Sequence, residues 1–328
     1  MGENLGSRLP AIPPTASRPC TVSPAALGGA MPLLVALATL APGHSGAQEL
    51  EPRLYSHVPV GLNFVVAGYA RSGGNVLVDQ SIQLDNAELD FDGFLVGYAR
   101  SLAVGRVLGK VDAAVGSVCL SGSADYRGQR VTRDVCGLTD ARIRLAVNFI
   151  GAPAMAMEEF AVSRQDLVVG ASVQLAAPVG DYDPERLVNI GANRWAAKAE
   201  IGLWKLLTPW TLEFTAAASF LGANDEFFGG SRREQDPLYS LQGHVVRGFG
   251  SGLWVSFGMT HYRGGRTTID GVVNGDRQSN DRVGVTVSVP VNRKHSLKVS
   301  MSSGVSTRTG TDLDTFALAW QYRWGAGL

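Results

Sequence analysis

From residue 58 onward the chain alternates with a period of two, and nothing in it sustains the 3.6-residue period of an amphipathic helix. Phe316, Leu318, Trp320, Tyr322 and Trp324 point one way, and Thr315, Ala317, Ala319, Gln321 and Arg323 the other. Val283, Val285, Val287 and Val289 alternate in the same manner with Gly284, Thr286, Ser288 and Pro290. Leu167–Leu175 and Trp210–Phe220 repeat the pattern. In a soluble sandwich the second face would meet bulk water and carry many Lys and Glu. Here it is mostly Gly, Ala, Ser and Thr with a few charges, which suits the interior of a barrel whose large apolar residues face lipid. Backbone groups in lipid must all be paired, so the sheet has to close.

The alternating segments predict about twelve strands, near 60–70, 91–101, 107–118, 140–150, 166–178, 194–206, 209–221, 237–248, 252–263, 282–291, 295–304 and 314–324. The connections near 71–90, 119–139, 179–193, 222–236, 264–281 and 305–313 are long, and those near 206–209, 249–251 and 292–294 are tight. An even strand number with long outer loops and short periplasmic turns is the pattern of a bacterial outer-membrane barrel. Residues 151–165 break the rule, being long where a periplasmic turn is expected, and suggest a short helix plugging or lying beneath the barrel. Tyr55, Tyr69, Tyr98, Trp195, Trp210, Tyr239, Trp254, Tyr262, Tyr322 and Trp324 gather near strand ends, as interfacial girdles require. The fold class expected is therefore all-β, a closed antiparallel transmembrane barrel.

Met31–Ala41 is apolar but only about eleven residues long, too short to span a bilayer and suited to the core of a signal peptide. Small residues at Ser45 and Ala47 place cleavage after Ala47. The Pro- and Ser-rich stretch before Met31 fits either a long n-region or an upstream extension of the reading frame, so Met1 and Met31 both stand as candidate starts. The expected organisation is 1–47 as a removed leader, 48–57 as a short periplasmic segment and 58–328 as the barrel. Removing the leader takes Cys20 with it and leaves Cys119 and Cys136, an even pair in an oxidising compartment, as a candidate disulfide.

Lys and Arg together number 29, as do Asp and Glu, so the chain lacks the basic excess that nucleic-acid binding requires. The expected partners are outer-membrane lipid, a small-molecule solute, and the barrel-assembly machinery during biogenesis. Arg142, Arg144, Lys198, Glu200, Glu213, His244, Lys298 and Arg323 fall on the small-residue faces and are the candidate lumen-lining residues. Such charges are retained inside only when paired or hydrated, so they form either a structural ion-pair network or a polar constriction that filters solutes. His261 shares a face with Val255, Phe257 and Met259 and is expected at an interfacial girdle opposite Tyr239. No Ser/His/acid trio falls in register, no metal-ligand spacing is present, and neither a catalytic role nor a cofactor is expected. Gly248-x-Gly250-x-Gly252 lies between two strands with no helix after it, and reads as a hairpin turn. The acidic clusters Asp181–Glu185 and Asn224–Glu226 read as solvated turns or as oxygen ligands for Ca²⁺.

Several stretches resemble the bacterial family named for the MetA pathway of phenol degradation. They are Val58–Phe64, Gly180–Pro184, Leu187–Gly191, Asn193–Trp195, Glu234–Tyr239, Gly264–Thr268, Gly304–Gly310 and Trp320–Gly325. The resemblance covers about residues 50–325 and implies an outer-membrane channel passively passing small, aromatic or otherwise hydrophobic, solutes. The family brings no defined binding residues to carry over. The rival readings are a structural or loop-binding barrel with a sealed lumen and, behind it, an outer-membrane enzyme.

Overall fold

The computed structural model describes residues 51–77, 84–126 and 129–328. The proposed leader and the cleavage point after Ala47 lie outside the described residues. The first strands are β1 (Leu62–Leu77), β2 (Leu84–Val104), β3 (Val107–Tyr126), β4 (Gln129–Leu138) and β5 (Ala141–Pro153), followed by the short helix α1 (Met157–Val162). Next come β6 (Leu167–Ala177), β7 (Ala196–Leu207), β8 (Trp210–Leu221), β9 (Asn224–Phe227), β10 (Ser231–Gln235) and β11 (Leu238–Gly248). The chain finishes with β12 (Trp254–Gly264), β13 (Thr267–Ile269), β14 (Val272–Val273), β15 (Gln278–Pro290), β16 (His295–Thr307) and β17 (Gly310–Gly325).

Twelve of these strands form the barrel wall, each antiparallel to its neighbours, and the pairings of β1 with β17 and of β2 with β3 close the sheet. Closure leaves no unpaired wall edge within the bilayer, which is the requirement that the alternation implied. The faces are as the alternation predicts. Val285, Met301, Phe316, Phe214, Leu241 and Phe257 are exposed on the outer face, whereas Thr286, Ser288, Ser256 and Gln321 are buried on the inner one. At the end carrying the short turns, His295, Trp320, Tyr322 and Trp324 stack in series on the outer face, with Tyr322 and Trp324 centroids 5.4 Å apart. This is one aromatic girdle. Tyr55, Trp254 and Tyr262, expected at a girdle as well, are instead buried on the inner side, where Tyr55 is hydrogen-bonded to Glu200.

Above the bilayer the wall continues farther than the alternation indicates. The stretch 119–139, expected to be a loop, is the upper half of β3 folded back onto β4. Cys119 and Cys136 face each other in that ladder and are joined by a disulfide. The connections near 222–236 and 264–281 likewise carry β9, β10, β13 and β14, which make a second, four-stranded sheet over the long-loop end. The hairpin register also differs from expectation at one point. The turn between β11 and β12 sets Leu241, not Tyr239, opposite His261. His261 instead meets Asp281 of β15, Nδ1 to Oδ1 at 2.8 Å.

Candidate functional site

Residues 51–57, expected as a periplasmic segment, lie inside the barrel. Glu51, Leu54, Tyr55, Ser56, His57 and Val58 are all buried, and the wall holds them residue by residue. Lys110 of β3 donates from Nζ to the carbonyls of Leu54 at 2.7 Å and Ser56 at 2.6 Å. Asn148 of β5 donates to the Tyr55 carbonyl at 3.0 Å. Glu213 of β8 accepts the Arg53 backbone N–H at 2.6 Å, and the Arg53 guanidinium lies 5.6 Å from the centre of the Trp254 ring. Higher in the lumen, Arg144 donates to Glu51 and, from Nε at 2.9 Å, to Asp112. The segment thus descends from mid-lumen toward the short-turn end, where β1 begins.

Tyr55 shows why the sequence can take this path. Its hydroxyl donates to Glu200 at 3.0 Å, beside Ser172 at 3.2 Å. Its ring lies on Gly170 and Gly202, which pair across β6 and β7; a Cβ on either would meet the ring at 2.4 or 2.1 Å. Only glycine leaves room for an aromatic this close to the wall. Below, α1 closes the short-turn end against the same segment. Phe160 is buried edge-on to the His57 ring with centroids 5.1 Å apart, His57 Nε2 donates to the Pro153 carbonyl at 2.9 Å, and the Val60 N–H donates to Met155 O at 2.9 Å. The expected short helix is present at 157–162.

Of the candidate lumen residues, Arg144, Glu200 and Glu213 gather around residues 51–57. Lys198 pairs with Glu200 at 3.0 Å. His244 is buried, with Nδ1 at 3.4 Å from Ser256 Oγ. Arg142 sits two positions above Arg144 on the same face of β5, partly buried. Lys298 lies away from this cluster on β16, and Arg323 sits at the short-turn rim, donating from Nε to the Arg293 carbonyl at 2.7 Å. Glu51, Arg53, Tyr55, Lys110, Asp112 and Asn148 belong to the cluster although alternation alone did not single them out. The paired inward glycines 170 and 202 are the signal that something bulky approaches the wall there. Buried charges are favourable only when satisfied, and this network satisfies most of them through the inserted segment.

The opposite wall is apolar. Phe64 and Val66 of β1, Phe91 and Leu95 of β2, and Val118 and Leu120 of β3 are all buried on the inner face and join one cluster with Leu54 and Val58. Leu89 above and Leu313 of β17 extend it toward the long-loop end. The lumen therefore has two sides. One is mainly apolar, on β1, β2, Val118 and Leu120 of β3 and Leu313 of β17. The other is richer in hydrogen-bonding groups and takes in Lys110 and Asp112 lower on β3 and the strands from β5 onward. Among the described residues, no group of three or more His, Cys, Asp or Glu side chains gathers to hold a metal.

The family model "Putative MetA-pathway of phenol degradation" matches residues 72–320. The chain belongs to this family. In fold it is similar to the crystal structure of an outer membrane channel from Pseudomonas putida F1, with a TM-score of 0.72 at 22% identity over 84% of this chain and 100% of that one. The translocator domain of the autotransporter NalP from Neisseria meningitidis gives a TM-score of 0.48 at 11% identity, covering 82% of this chain and 91% of that one. Among curated proteins none matches. A closed twelve-stranded barrel with a lipid-facing apolar band places this family member in the bacterial outer membrane.

Proposed function

We propose that the protein is a passive outer-membrane channel for small hydrophobic solutes, aromatic compounds among them. The observation that carries the reading is the two-sided lumen. A sieve for ions and sugars has polar residues all round its wall, whereas here Phe91, Leu95, Val118 and Leu120 make one stretch of the wall apolar and pack in a single cluster with Leu54 and Val58 of the inserted segment. Small apolar solutes gain roughly 25 cal/mol for each Å² taken out of water, enough to enter such a strip without a charged anchor. The link to phenol degradation in the family's name agrees with this cargo. No energy source enters the proposal; the solute moves down its own gradient.

The inserted segment favours one competing reading, a sealed barrel that binds through its outer loops. Liposomes carrying the full-length protein separate the two. Uptake of toluene faster than into protein-free liposomes, reduced several-fold by Phe91→Ser while the folded barrel keeps its heat-modifiable migration, supports the channel. A folded protein that leaves uptake at the protein-free rate excludes it.

A further inference from the structure

Arg194 closes the long connection that leads into β7, one residue beyond the point where Gly222 N–H donates to the Trp195 carbonyl at 2.8 Å. It shares the inward parity of Lys198 and Glu200, and its side chain is only 5% exposed. Nη2 donates to Gln235 Oε1 at 2.6 Å, while Nη1 is buried and meets no partner among the described residues. A guanidinium nitrogen enclosed without an acceptor forgoes a charge-assisted hydrogen bond, and such a group is the kind that an arriving anion satisfies.

A second cation stands beside it. Arg233 and Gln235 are two apart on β10, so they share a face about 7 Å apart along the strand. That face is partly buried, while Arg232 and Glu234 on the other face are exposed and pair at 3.0 Å. The Arg233 guanidinium lies 5.1 Å from the centre of the Phe227 ring, and no carboxylate comes within 4.0 Å of it or of Arg194 among the described ion pairs. Burial and the charge of Arg233 both work against ionised Arg194, with Tyr182 and Asp140 opposing them. The acidic and phenolic groups facing the pair are already engaged. Asp140 accepts the N–H groups of Gly180 and Ala192, Asp276 accepts the N–H and hydroxyl of Thr267, and the Tyr182 hydroxyl donates to the Glu226 carbonyl. Two cations are thus held together by their loops with no carboxylate in direct contact, Asp140 and Asp276 acting on them only from a distance.

We propose that Arg194 and Arg233 form an oxyanion site at the outer mouth, which takes the carboxylate of a small organic acid. Arg194 supplies the unpartnered Nη1 and Arg233 a guanidinium that makes no hydrogen bond among the described residues, which together suit a two-oxygen anion. The inference deepens the channel reading by naming a class of cargo, and rests on it only for what happens after capture.

The test uses full-length protein purified from outer membranes in detergent, titrated calorimetrically with benzoate, with inorganic phosphate and with lipopolysaccharide. Saturable benzoate binding, weakened about tenfold by Arg233→Met and by Arg194→Lys, is the expected result. Arg233→Met removes no hydrogen bond from the loops, so it remains informative if changes at Arg194 disturb them. Absence of benzoate binding overturns the site, as does binding that Arg233→Met leaves unchanged. Binding of phosphate or lipopolysaccharide without benzoate overturns the carboxylate assignment. Because calorimetry in detergent reads no flux, a barrel that binds benzoate but passes no toluene refutes the channel and leaves the site standing.

Discussion

At Val285 the facing of a single side chain can be read from the chain itself. Its neighbours Gly284 and Thr286 are buried on the inner face, while Val285 is exposed beside its register partners Phe257 and Met301, which are exposed too. Val285→Arg therefore places a cation against hydrocarbon near the middle of a strand, at an expected cost of roughly 2–4 kcal/mol. Reversible urea unfolding from liposomes measures it, and an unchanged midpoint would mean that Val285 does not face lipid. Alternation makes this level of detail legible because lipid and lumen impose opposite demands on adjacent residues. It gives no such access to Tyr55. That residue precedes the first strand, in a stretch with no period, and its place is fixed by contacts with Gly170 and Glu200, far along the chain. The same holds for Arg194 and Arg233, whose adjacency arises only when two loops meet through Gln235.

Among the elements, the twelve wall strands were legible and their upper extensions were not. A strand needs about 9–11 residues to cross the bilayer, yet β2 has 21 and β3 has 20. Above the lipid the outer face meets water, so it carries residues such as Asp90 and Asp92 and the alternating signal fades, although the ladder continues to pair. The β3–β4 hairpin lies wholly in that zone, and its disulfide closes a separation of 17 residues. On the chain-entropy account such a cross-link is worth about 3 kcal/mol. In the double variant Cys119→Ser with Cys136→Ser the hairpin is expected to open without unfolding the barrel. Trypsin would then cut at Arg130 or Arg133 in intact cells, while the membrane-embedded fragment keeps its heat-modifiable migration. Resistance to trypsin equal to the parent's would show that the strand pairing holds the hairpin unaided.

For the molecule as a whole, the wall and residues 51–57 make one structure, because Lys110, Arg144, Glu200 and Glu213 find partners on the inserted segment. The small-residue faces marked Arg144, Glu200 and Glu213 as candidates but not what they hold, since the segment's entry into the barrel depends on contacts with β3, β5, β7 and β8 at once. Glu213 is the residue to change. It accepts the Arg53 N–H at 2.6 Å from within the wall, and leucine at the same position keeps the volume but offers no acceptor. Loss of a charge-assisted bond of this kind weakens the segment's seat by about 1.5–3 kcal/mol without touching the ladder that builds the barrel. Glu213→Leu is therefore expected to raise single-channel ion conductance, or the frequency of open events, in planar bilayers, with heat-modifiable folding retained. If the folded variant conducts as the parent does, Glu213 does not govern the seat of the segment, and the remaining contacts to Lys110, Asn148 and Arg144 suffice to keep the lumen closed to ions.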